Sequence, residues 1–116
     1  MSEKLRLLLV TVNNPEDVEE VISAMLELDV QYPVTFDSES ALELLATEAP
    51  IFAGLRRMVD GGRKHNKTVI GVTSEENVLP RFQHILVGVG VDFSEPGTGF
   101  AVLLPLEGMI GSSEDI

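Results

Sequence analysis

Leu5 to Val12 is a nearly continuous apolar run with a β-branched end, stopped by Asn13-Asn14-Pro15. Such a run predicts a strand covered on both faces or nearly so. The period then changes. Val18, Val21, Ile22, Met25 and Leu26 recur at helical spacing. Asn14 stands as the cap of that helix, Pro15 at its first position and acids in its first turn. Tyr32 to Asp37 predicts a short second strand, Lys67 to Thr73 (KTVIGVT) a third and Phe100 to Leu104 a fourth. Between the last two, Val78, Phe82, Ile85, Leu86 and Val89 form a second helical stripe. Ser74-Glu75-Glu76 marks its start, which Pro80 pushes later.

The connection between the second and third strands is almost thirty residues long. Ser40 to Thr47 (SALELLAT) suits a short helix. Ile51, Phe52, Leu55, Met58 and Val59 have helical spacing after Pro50, and Gly61-Gly62 ends that segment. Connections of this length in a small domain tend to carry function. The order β-α-β-insert-β-α-β predicts an α+β fold, a ferredoxin-like βαββαβ sandwich with a long, partly helical insert between strands 2 and 3. Residues 1–116 form a single domain on this reading, with the insert at about 39–66 and a flexible tail at 109–116. Two helices cover one face of such a sheet. The unbroken apolar first strand asks for cover on the other, from the insert or from another subunit.

Charge adds a second feature. The 116 residues carry a net charge of −11, which argues against nucleic-acid binding. Five of the eight cations lie in GLRRMVDGGRKHNKT, residues 54–68: Arg56, Arg57, Arg63, Lys64 and Lys67. With Asp60 that stretch balances at +4, and the remainder at −15. The absence of cysteine removes disulfides and thiolate chemistry. No stretch approaches the roughly 18 apolar residues of a membrane span, and MSEKLRLLLVTV lacks the features of a signal peptide, so a cytoplasmic location is expected.

GGRKHNKT, residues 61–68, falls one residue short of a phosphate-binding P-loop, with Asn66 where the pattern needs glycine. It also opens a strand where a P-loop opens a helix. SEPGTG, residues 94–99, predicts a tight turn at Pro96-Gly97 that can cradle an anion. His65 and His84 have no ligand spacing, so no metal site is expected. No nucleophile has an activating partner and no carboxylate pair is arranged for acid–base work, so an enzyme is not expected.

Two blocks, PIFAGLRRMVDGGRKHNKTVIGV (residues 50–72) and VDFSEPGTGFAVLLPLEG (residues 91–108), together with the element order, resemble the PII signalling proteins, and within them a divergent subgroup. The resemblance spans roughly residues 4–108. It implies a homotrimer with sheets packed inward, ligands in the clefts between subunits, and a nitrogen-regulatory role exerted on a partner protein. It places residues 39–66 at the family's T-loop and Gly97-Thr98-Gly99 at the glycine turn of its B-loop. ATP or ADP is the ligand that the resemblance implies. The family's phosphate-binding basic residues are missing from SEPGTG, which has Glu95, and from EGMIGSSEDI; the T-loop tyrosine is missing too. Recognition of a small anionic effector then falls to Arg56, Arg63, Lys64, Asn66, Lys67, Gly97, Thr98 and Gly99. The alternative is a ligand-free interaction module that docks a protein on the insert helix. A metal-tolerance trimer of related fold is weak for want of histidine and cysteine.

Overall fold

The computed structural model describes residues 4–48 and 65–111. The elements in chain order are β1 (Arg6–Val12), a 3-10 turn (Pro15–Asp17), α1 (Val18–Glu27), β2 (Gln31–Glu39), α2 (Ala41–Glu48), β3 (His65–Thr73), α3 (Val78–Gly88) and β4 (Gly99–Pro105). The strands form one sheet in the order β2-β3-β1-β4, with every neighbouring pair antiparallel. The fold is α+β with a four-stranded antiparallel sheet, as the ferredoxin-like expectation requires.

Both crossovers follow from local chemistry. Asn14 accepts a hydrogen bond from the Glu16 N–H at 3.2 Å, but the turn it caps is 3-10, and α1 begins only at Val18. Along α1, Val21, Ala24 and Met25 are buried, and Leu28 beyond it closes the same stripe. Leu26, expected in the stripe, is 56% exposed: its neighbours Met25 and Leu28 fill the core side instead. In α3, Val78, Phe82 and Leu86 are buried and Ile85 packs at the margin. Val89, also expected there, lies past the helix end and is exposed. The core joins these residues to Leu8, Val10 and Val12 of β1 and Val69 of β3. Each such side chain contributes about 1.5–3 kcal/mol by leaving water. Phe93 stacks on Phe82 with ring centroids 6.4 Å apart.

Strands β2 and β3 are longer than expected. β2 continues to Glu39 and β3 begins at His65, so the connection between them is 40–64, narrower than 39–66, and His65 and Asn66 are strand residues. The proposed helix of residues 50–60 lies outside the described residues. Side chains alternate across the sheet. Leu8, Val10, Val12 and Val69 meet the helices. On the opposite face the register aligns three rows: Leu7 with Val72 and Leu104; Leu9 with Ile70, Val102 and, through β3, Val34; and Thr11 with Thr68, Phe100 and, through β3, Phe36. Val34, Phe36, Phe100, Val102 and Leu104 on this face are exposed. The second face is thus apolar, as the unbroken first strand suggested, and uncovered within the described residues of one chain.

Candidate functional site

At the Thr11 end of that apolar face the rows turn polar. A cleft of about 470 Å³ opens there, between the end of β2, the start of α2, Asn13 and the glycine turn before β4. Thr11 and Thr68, opposite each other on β1 and β3, join their hydroxyls at 2.9 Å. Ser38 on β2 meets the Thr68 hydroxyl at 2.8 Å and donates to Asn66 Oδ1. Asn66 Nδ2 donates to Asn13 Oδ1 at 3.4 Å, and Asn13 Nδ2 donates to the Gly97 carbonyl at 2.8 Å. The Asn13 N–H donates to the Thr98 carbonyl at 3.0 Å. Asn66, Thr68 and Thr11 are buried, so these mutual bonds offset their loss of water.

The glycine turn is the one the sequence announces. The Thr98 N–H donates to the Glu95 carbonyl at 3.3 Å, Pro96 holds the first central position, and Gly97 has φ 88°. That is a type II turn, whose second central residue needs positive φ. Gly99 follows at φ 141°, and a Cβ there would stand 2.0 Å from the Thr11 carbonyl oxygen. Only glycine lets β4 enter beside β1 at this point. Upstream, Asp92 accepts from the Ser94 hydroxyl at 2.7 Å and from its N–H at 3.0 Å. These bonds hold the Asp92 carboxyl below its ordinary value.

The residues expected in the site divide into three groups. Asn66, Gly97, Thr98 and Gly99 come together, with Asn13 between them. Lys67 does not join them. One step along β3 from Asn66, it lies on the opposite face, in register with Val12 and Asp37, and its Nζ pairs with Asp37 Oδ1 at 2.5 Å. The hydrogen bond and charge from Lys67 hold Asp37 below its ordinary value, with a smaller contribution from His65. Arg56, Arg63 and Lys64 lie outside the described residues. Among the described residues the cleft is lined by neutral hydroxyls and amides, by Leu42 and Phe100, and by Glu39 as its one charged group. Asn13, Ser38, Thr68 and Thr11 were not anticipated: small uncharged residues in and beside strands carry no motif. The available signal was that hydroxyls interrupt otherwise apolar strands near their ends.

No family model matches the sequence, and no curated protein is significantly similar to it. Among solved structures, the crystal structure of Arabidopsis thaliana PII bound to citrate is similar, with a TM-score of 0.56 and 15% identity, covering 90% of this chain and 79% of that one. At this identity the likeness establishes the fold: the chain has a PII-like architecture. No described helix is long and apolar enough to cross a membrane.

Proposed function

We propose that this protein is a PII-like regulator that acts as a homotrimer, takes a small anionic effector in clefts between subunits, and passes its state to a partner protein. The observation that carries the reading is a polar cleft opening at the end of an uncovered apolar sheet face. Packing that face against copies of itself removes an exposed patch from water and brings a neighbouring subunit to the cleft's rim. The concentration of cations in residues 54–68 supports an anion as the ligand, because the segment feeds directly into β3, which carries Asn66. That the similar PII structure holds citrate is consistent with a multivalent anion. Adenine nucleotide, ATP or ADP, is the second ligand to try. The reading assigns no catalytic residue, and a nitrogen-regulatory role rests on the family resemblance.

Solution mass and calorimetry test it together. The expected mass is three times the 12.6 kDa chain, and citrate, ATP or ADP should release heat on binding. Arg63→Ala and Lys64→Ala should abolish that heat without changing the mass. A monomer, or a trimer unmoved by all three ligands in calorimetry and thermal shift, overturns the proposal. A ligand-free interaction module draws support from α2, where Leu42, Leu44 and Leu45 are exposed. It predicts capture of a protein partner that is lost in Leu45→Ser and indifferent to anions.

A further inference from the structure

The hydrogen bonds beneath the cleft have one consistent direction. Asn66 Oδ1 is an acceptor only, so the single proton of Ser38 goes to it. The Ser38 oxygen then accepts from Thr68, whose own single proton is spent. Thr68 in turn accepts from Thr11. Beyond Asn66 the order continues through amides, from Asn66 Nδ2 to Asn13 Oδ1 and from Asn13 Nδ2 to the Gly97 carbonyl. The result is a one-way relay, Thr11 to Thr68 to Ser38 to Asn66 to Asn13 to Gly97. Each bond polarises the next, and no member can reverse alone.

Its two ends matter to different parts of the molecule. Asn13 grips the glycine turn twice, by its side chain at Gly97 and its N–H at Thr98. Ser38 sits two residues before Ser40, the first residue beyond β2. The Ser40 hydroxyl accepts from the Glu43 N–H at 3.3 Å, and its carbonyl accepts from the Leu44 N–H at 2.9 Å, so Ser40 seeds α2 and the root of the long connection.

We propose that Asn13 is the positioning residue of the candidate site, and that the relay through Asn66 and Ser38 couples the set of the Gly97–Gly99 turn to the root of α2. A group that pulls the Gly97 carbonyl away from Asn13 breaks that bond, unsettles Asn66 and loosens Ser38. The use of this coupling in signalling rests on the function proposed above; the coupling itself needs no ligand and is measured without one.

Amide hydrogen exchange on the ligand-free full-length protein reads both ends. Asn13→Ala should speed exchange in residues 97–100 and also in Leu42 to Leu45, each by roughly two- to tenfold, the size of one net hydrogen bond. Asn13→Asp still accepts from Asn66 but presents an acceptor to the Gly97 carbonyl. It should loosen the turn as much as Asn13→Ala does and α2 less, because the carboxylate keeps its hold on Asn66. Ser38→Ala touches nothing in the turn, yet should speed exchange at 97–100. Ser94→Ala, which removes only the hydroxyl bond to Asp92, should leave α2 unchanged. Two outcomes overturn the proposal: Asn13→Ala and Ser38→Ala each acting only beside themselves, or Asn13→Asp exchanging like wild type at the turn. Should Asn13→Ala not fold, the Ser38→Ala and Asn13→Asp pair decides alone.

Discussion

Two residues do the same job at the ends of the two packed helices. After α1, the Val30 N–H donates to the Met25 carbonyl and the Asp29 N–H to the Leu26 carbonyl. After α3, the Val91 N–H donates to the Leu86 carbonyl and the Gly90 N–H to the Val87 carbonyl. Both are Schellman closures, with Asp29 at φ 59° and Gly90 at φ 91° in the left-handed position, and with a buried valine following each. The substitutions therefore differ in size. Gly90→Ala should cost about 1–2 kcal/mol, because a Cβ penalises the left-handed conformation. Asp29→Gly should stay within about 0.5 kcal/mol, since relief of that conformation is offset by a freer unfolded chain. Urea unfolding of the two variants measures both. Gly99→Ala should be worse than either, as it combines a positive φ with a Cβ driven into the Thr11 carbonyl. At Asp37 the native value is lowered by Lys67, so the pair stabilises the native state above the ordinary carboxylate range and ceases to do so as pH falls through the native value. Lys67→Met should raise the Asp37 midpoint toward the ordinary carboxylate range, followed by carboxyl NMR.

Among the elements, period was a better guide than position. Apolar runs located the four strands and helical stripes located α1 and α3, because burial is what those patterns record. They erred at edges. Leu26 and Val89 continue a stripe in the sequence but sit where the helix surface has turned outward or ended, and a Schellman closure brings Val30 and Val91 inward in their place. The glycine turn was legible because Pro96-Gly97 fixes its type. Asn66 was named as well, but Asn13 and the hydroxyls of Thr11, Ser38 and Thr68 were not, since which hydroxyl meets which depends on strand register. Lys67 and Asn66 are neighbours in sequence and belong to opposite faces, a distinction set by one residue of register. The core itself is the firmest element-scale prediction. Phe82 is fully buried in the core and stacks on Phe93. Phe82→Ala should cost about 3–5 kcal/mol, measured by chemical denaturation.

At the scale of the molecule the unresolved balance is between the two faces of the sheet. One face is sealed by α1 and α3. Among the described residues the other presents Val34, Phe36, Phe100, Val102 and Leu104 to water from the two edge strands, β2 and β4. A net charge of −11 keeps copies apart at long range, so association at this face must be driven by short-range burial of apolar area. Val102 is the informative position. It lies in the middle row, in register with Leu9, and is 40% exposed in the single chain. If the chain lives alone, Val102→Asp adds a charge at a partly exposed site and changes stability little. If three copies share the face, the same carboxylate is carried into a dry interface three times over, where each unpaired charge costs several kcal/mol. Val102→Asp should then convert the trimer to a folded monomer, and salt should not restore it, because the penalty is desolvation more than long-range repulsion. Sedimentation velocity at low and high salt, with circular dichroism to show that the fold survives, reads the outcome; an unchanged mass would remove the sheet face from the interface.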